Sequence, residues 1–266
     1  MTPPSYLGAH VSIAGGFDKC ITRASEMGAN CLMTFASSPR SLQYKEVDTG
    51  NYQKIGPHFF HAPYLVNLAS ANPDYLQAGI NLLSFYQNLS SRIGGAGTIF
   101  HIGSSPQPDL NQVALAIIKT QQQSGDLVPI ILENSAGQAN SIGANLSEIE
   151  DLVNNLKSKI KNFGVCLDTQ HLFASGITLE SALDKFNEQI GLHHLKVIHL
   201  NDSKTDFGSH VDRHENLGSG KIGLESIKKF VNDPRLKNIP FILEVPGAGD
   251  GPQKRDIDTL KSLIDN

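Results

Sequence analysis

Cysteine is scarce in this chain of 266 residues, and the three present, Cys20, Cys31 and Cys166, form no CxxC pair. The three read as small buried residues in a reducing compartment, with disulfides a poor second reading and a Cys-rich structural metal site disfavoured. No apolar run approaches the ~18 residues needed to span a bilayer, so no membrane partner is expected. The first ten residues, MTPPSYLGAH, carry neither a basic run nor an apolar stretch, so a secretory signal is not expected. Nor does a Pro/Gly/Ser linker, a charge block or a low-complexity segment divide the chain, and residues 1–266 read as one domain. No GxGxxG turn follows any of the candidate strands, which argues against a dinucleotide-binding open sheet.

What recurs instead is a short apolar run, a polar or Gly-containing loop, and an amphipathic stretch. The candidate strands are 6–11, 30–36, 58–62, 98–102, 129–134, 164–168, 195–201 and 240–245. Most are apolar throughout, as expected of parallel strands covered on both faces. Helical spacing runs over 73–93, 112–123, 146–160, 179–192, 224–231 and 256–264; the first opens on Pro73-Asp74 after Asn72. Eight strands alternating with helices predict an α/β fold, a closed (β/α)8 TIM barrel.

The ends of these strands carry the chemistry. His10 closes the first, His61 the third, His101 the fourth, Glu133 the fifth, Asp168 the sixth, His199 the seventh and Glu244 the eighth. In a TIM barrel these ends ring one mouth, so residues far apart in sequence converge. Burying several imidazoles and carboxylates together is costly without compensation, and a cation is the usual compensation. Two loops extend the set. His171 follows Asp168 by three residues across a strand-to-helix turn. Asp212 and His214 are two apart, which in an extended loop puts both side chains on one side. His10 is ambiguous, better suited to supporting a ligand than to being one.

Nine N/O donors result: His61, His101, Glu133, Asp168, His171, His199, Asp212, His214 and Glu244. One zinc takes four or five ligands, water included, so nine suggest two or three ions sharing a carboxylate. His58, His193 and His194 fall away from the mouth and read as surface or packing residues. His210 lies in a functional loop without an assignable task. Tyr64 and Arg40 sit in loops over the mouth, and Lys204, Arg213 and Lys221 follow the seventh strand as a candidate phosphate-facing patch. The formal net charge of −4 does not exclude a polyanionic partner. With four acids committed to about three divalent ions, the remaining acids and bases balance.

The segments YLGAHVSIAGG (6–16), HAPYLVNLAS (61–70), LENSAGQ (132–138), CLDTQHLFASG (166–176), HLNDSK (199–204) and GSHVDRHENLGSGKIG (208–223) resemble the endonuclease IV family of zinc-dependent apurinic/apyrimidinic endonucleases. The resemblance runs through nearly the whole chain in order. It implies a xylose-isomerase-like TIM barrel with three zinc ions, and leaves open whether manganese or iron replaces some of them. By the same resemblance, His61, His101 and Glu133 hold one ion. Glu133 bridges to a second that Asp168, His199 and Glu244 complete, and His171, Asp212 and His214 hold the third. Glu133 is the implied catalytic residue, while Arg40 and Tyr64 match positions that press into DNA.

The implied activity is DNA repair by hydrolysis of the phosphodiester 5′ to an abasic site, leaving a 3′-hydroxyl and a 5′-deoxyribose phosphate. The implied partner is double-stranded DNA with abasic or 3′-blocked lesions, met by a cytoplasmic monomer. One departure stands out: the family's Lys-Asn-Pro-Arg-x-Trp loop reads Ser37-Ser38-Pro39-Arg40-Ser41-Leu42 here. Two rivals remain. A metal-dependent sugar isomerase or epimerase would leave His171, Asp212 and His214 surplus, and a catalytically dead DNA-binding barrel would have no reason to keep all nine donors.

Overall fold

The structure is a computed structural model and describes residues 5–50, 52–247 and 251–265; the predicted domain limits at 1 and 266 lie outside the described residues. Its order is β1 (Leu7–His10), α1 (Phe17–Glu26), β2 (Cys31–Thr34), β3 (His58–His61), α2 (Pro73–Arg92), β4 (Gly97–His101), α3 (Leu110–Gln123) and β5 (Ile130–Glu133). Then follow α4 (Leu146–Leu156), β6 (Phe163–Asp168), α5 (Thr169–Ala174), α6 (Leu179–Gln189), β7 (Leu195–His199), β8 (Asp202–Ser203), β9 (His214–Glu215), α7 (Leu224–Val231), β10 (Phe241–Leu243) and α8 (Lys254–Leu263). Eight strands close into a parallel barrel in the order β1-β10-β7-β6-β5-β4-β3-β2, and β8 and β9 form a separate antiparallel hairpin at its mouth. None of the described helices is long and apolar enough to cross a membrane.

Alternation along the strands explains the mouth. Phe59, Ile99, Ile131, Cys166, Val197 and Ile242, with Cys31 and Met33, make a buried cluster of their own inside the barrel. Two residues further along each strand, on the same face, stand His61, His101, Glu133, Asp168, His199 and Glu244. The polar ring is therefore the next layer up from a hydrophobic floor. One residue beyond β2 the corresponding position is Phe35, whose ring packs against His10, His61 and Tyr64, so this strand end contributes an aromatic wall and no donor. Leu32, Phe60, Phe100, Leu132, Leu167, Ile198 and Leu243 alternate outward and join the larger core under the helices.

Several element limits differ from expectation. Glu244 lies one residue beyond β10 rather than within the predicted strand. α4 stops at Leu156, four residues early, and α8 begins at Lys254, two residues early. α3 also starts early, at Leu110, because the Asp109 carboxylate caps it by accepting from the N–H groups of Asn111 and Gln112. α1 lies outside every predicted helical range, whereas α5 is the short helix into which the strand-to-helix turn at Asp168 leads. After β2 the chain crosses to β3 without a helix among the described residues, and the buried Tyr86 hydroxyl anchors that segment by accepting the N–H groups of Ala36 and Ser37, both at 3.0 Å.

Candidate metal centre

All nine predicted donors meet at the mouth. Glu133 is fully buried at their middle: Oε2 lies 3.0 Å from His61 Nε2 and 3.4 Å from His101 Nε2, while Oε1 lies 2.8 Å from His199 Nδ1. His199 Nδ1 is also 2.8 Å from Glu244 Oε2. The donor atoms of His61, His101 and Glu133 lie within 4.8 Å of one another, as do those of Glu133, Asp168, His199 and Glu244, and those of Asp168, His171 and His214. Asp212 Oδ2 is 3.3 Å from His171 Nε2, and its Oδ1 is 3.5 Å from His214 Nε2. Three neighbouring positions for a cation thus share Glu133 and Asp168 between them.

The backbone fixes most of the imidazole tautomers. A carbonyl can only accept, so His61 Nδ1–H donates to Ala62 O (2.7 Å), His171 Nδ1–H to Asn134 O (2.9 Å) and His214 Nδ1–H to Glu244 O (3.3 Å). In the neutral ring that a metal requires, Nε2 of each is then an acceptor facing carboxylates, which also only accept. The Nε2 atoms of His171 and His214 are buried without a hydrogen bond. Lone pairs opposed to lone pairs in a buried site fit a cation between them, and the all-N/O donor set fits zinc.

Charge sharing without a metal points the same way. Burial alone would raise the carboxylates, but His199 and its neighbours hold Glu133 and Glu244 well below the usual range. Asp212 is likewise lowered, against its burial, by His171 and His214. Burial would lower His171, yet Asp168 and Asp212 push it up to about 10. His199 is raised well above its ordinary value despite burial, with Cys166, Glu244 and Glu133 around the ring. Burial dominates at His101 and lowers it.

His10 lies beside a candidate ligand: its Nδ1 stands 3.1 Å from Glu244 Oε1, while Oε2 of the same carboxylate faces His199. His58 is not a surface residue. It is buried, bonded to Thr34 Oγ1 and the Tyr52 hydroxyl at 2.9 Å each, and burial drives it down to about 3. His193 and His194 lie in a 3-10 turn before β7, away from the mouth. His210, in the left-handed region at φ 54°, sets its ring against Gly137 and Nδ1 3.1 Å from Ala136 O, tying the Asp212 loop to the loop after β5.

Residues that sequence reasoning missed hold the donors in place. Asn201 Nδ2 donates to Asp168 Oδ2 (2.6 Å) while its Oδ1 accepts the Glu244 N–H (2.9 Å). Asn134 Oδ1 accepts the Asp168 N–H at 2.6 Å. The buried Asp202 carboxylate accepts the N–H groups of Ser203, Gly218, Gly220 and Ile222, folding the loop behind His214 around itself. A Cβ on Gly220 would stand 2.5 Å from Asp202 Oδ1, which is why glycine is needed there. Asn201→Leu, which removes both bonds at similar volume, is expected to weaken the tightest-bound zinc by about 10- to 100-fold in competition with a chromophoric chelator. Unchanged affinity would assign Asn201 a purely structural role.

Two cavities flank the centre. One of about 410 Å3 is lined by His10, Phe35, Ser37, Tyr64, His214 and Glu244; the other, about 380 Å3, by Tyr64, His101, Ser104, Gln138, His171 and Asp212. Tyr64 stands between them, 56% exposed, its ring against His61 and His101, and the next residue, Leu65, is 41% exposed. This exposed apolar neighbour was not singled out from sequence. Arg40 is exposed one residue past Pro39, which lines the first cavity. The β8–β9 hairpin brings Lys204 beside Arg213, since the Lys204 N–H donates to Arg213 O at 3.0 Å, and the Lys221 N–H donates to Ser203 O at 2.8 Å. Of these cations Lys221 is not free: its ammonium pairs with Asp206.

Residues 57–263 match the model of the xylose isomerase-like TIM barrel family. A probable endonuclease 4 from Halothermothrix orenii is 37% identical over 259 residues, covering 90% of this chain and 93% of its own. The crystal structure of endonuclease IV from Thermus thermophilus superposes with a TM-score of 0.83 at 30% identity, covering 97% of both chains. A D-allulose 3-epimerase from Methylomonas sp. superposes with a TM-score of 0.67 at 17% identity, covering 98% of this chain and 92% of its own, a likeness of fold alone.

Proposed function

The chain belongs to the endonuclease 4 family of xylose isomerase-like TIM barrels, and from that premise we propose that it is a DNA-repair apurinic/apyrimidinic endonuclease working with about three zinc ions. One observation carries the reading: a buried carboxylate, Glu133, stands between two sets of donors, with a third set beside it from α5 and the β8–β9 hairpin. A sugar epimerase of this fold would have no use for that third set. His61, His101 and Glu133 would hold one ion; Glu133, Asp168, His199 and Glu244 the second; His171, Asp212 and His214 the third.

Bound zinc lowers the pKa of water towards about 7 and neutralises charge that builds on a phosphate. The protein's own part is placement. The carboxylates of Glu133, Asp168, Asp212 and Glu244 outnumber the raised imidazoles of His171 and His199, so the metal-free mouth stays net negative and disfavours a phosphodiester that the loaded site would accept. Tyr64, wedged between the cavities, and Arg40 at the rim would fill the space left by a missing base, while Lys204 and Arg213 would meet the backbone. An abasic nucleotide costs least to take out of the stack, which supplies the selectivity. Ser37 lines the cavity beside Tyr64 at the position where the family loop, by resemblance, carries a lysine, so this loop is where lesion preference would differ.

The deciding experiment is incision of a duplex with one defined abasic site, with end-group analysis before and after chelation. A 3′-hydroxyl and a 5′-deoxyribose phosphate, lost on chelation and restored by zinc, are expected. Binding without incision by zinc-loaded protein would favour a dead DNA-binding barrel.

A further inference from the structure

An imidazole that ligates a metal through one nitrogen needs a partner for the N–H on the other, and that partner fixes both ring orientation and donor strength. For His61, His171 and His214 the partner is a backbone carbonyl bonded to Nδ1. His199 is turned the other way. Its Nδ1 faces Glu133 and Glu244 at 2.8 Å each, and its Nε2 is fully buried without a hydrogen-bond partner.

What lies near this ring is sulfur. Cys166 stands on β6 opposite Val197 of β7, and Asp168 stands opposite His199, so Cys166 occupies the inward position one layer below the donors. Its Sγ lies within 4.8 Å of donor atoms of Glu133 and His199, and its side chain interacts with the His199 ring. The rest of that layer, Cys31, Met33, Phe59, Ile99, Ile131, Val197 and Ile242, has no side-chain nitrogen or oxygen to offer.

We propose that Cys166 is a positioning residue of the metal centre, its sulfur accepting the His199 Nε2–H and so holding Nδ1 towards the shared carboxylates. The inference rests on the zinc-centre reading above. A thiol is a weak, soft acceptor, so His199 gains less basicity than a carboxylate partner would lend it. The position with three carboxylates, Glu133, Asp168 and Glu244, thereby keeps a modest fourth donor and more of the ion's Lewis acidity.

The test measures zinc stoichiometry and affinity of chelator-stripped protein, and the visible spectrum of the cobalt-substituted protein, for wild type, Cys166→Ala, Cys166→Ser and Cys31→Ala. Cys31→Ala opens a comparable void in the same layer, at a sulfur whose hydrogen bond goes to Phe241 O. Cys166→Ala is expected to bind one zinc about 10- to 100-fold more weakly and to shift the cobalt bands. Cys166→Ser, which offers an oxygen acceptor, is expected to restore most of that loss, and Cys31→Ala to behave as wild type. Wild-type affinity in Cys166→Ala, equal weakening in Cys31→Ala, or no rescue by serine would each overturn the proposal. A wild-type protein that takes up no zinc would instead overturn the reading beneath it.

Discussion

Glu133→Gln is expected to lower incision of an abasic duplex by about a thousandfold or more while the barrel stays folded. The two side chains have the same shape, so the packing of the surrounding mouth survives. What changes is the donor inventory. A carboxylate offers lone pairs to both sides, towards His61 and His101 through Oε2 and towards His199 through Oε1. The amide offers an acceptor to one side and two N–H donors to the other, where they oppose whatever cation the donors hold. Zinc content should fall by at least one ion relative to wild type. Far-UV circular dichroism should not change, because the helices pack on the outward faces of the strands and not on the mouth. Single-turnover incision and elemental zinc analysis on the same preparation check both halves. Wild-type cleavage with full zinc content would sink the bridging assignment.

The candidate ligands could be found in the sequence because a parallel barrel strand buries both faces yet still alternates. A His or acid two residues beyond an inward apolar residue must emerge at the mouth, and His61, His101, Glu133, Asp168 and His199 close their strands in the structure. Grouping them was not accessible this way, since which donors share an ion depends on register between strands and not on spacing within one. α5 has only six residues, too few for a helical period, and Asp168, whose Oδ1 accepts the His171 N–H at 2.8 Å, does duty as its cap. α1 hides behind Gly15-Gly16 and lacks a side-chain cap. Asn134 and Asn201 look like ordinary strand-end asparagines because their meaning lies wholly in the neighbouring strands they reach. Cys166 looks like core. The Lys221–Asp206 pair joins two exposed loops, and no pattern in either loop announces it.

Zinc uptake by the metal-free protein at pH 7 is expected to release about two protons, and zinc affinity to rise by about 100-fold per pH unit near neutrality. The two protons belong to His171, held up to about 10 against its burial by Asp168 and Asp212, and to His199, raised well above 6.5 against its burial by Cys166, Glu244 and Glu133. Both are imidazolium at pH 7 without metal, and both must become neutral to ligate. Stability runs the opposite way. A raised imidazole contributes fully below its unfolded value of 6.5, and that contribution is lost as pH climbs through about 10 for His171. The depressed carboxylates, Glu133 and Glu244 among them, contribute above their ordinary 4.5 and lose that contribution as pH falls towards their folded values. The metal-free protein should therefore be most stable between about pH 4.5 and 6.5 and weaken towards pH 10, whereas the zinc-loaded protein should strengthen over that upper range until hydroxide competes for the metal. Calorimetric titration of zinc in buffers of differing ionisation enthalpy counts the protons, and thermal melts of both forms from pH 5 to 9 test the crossing trends. Uptake without proton release would mean that His171 and His199 are already neutral, and that the carboxylates around them are compensated by something other than imidazolium.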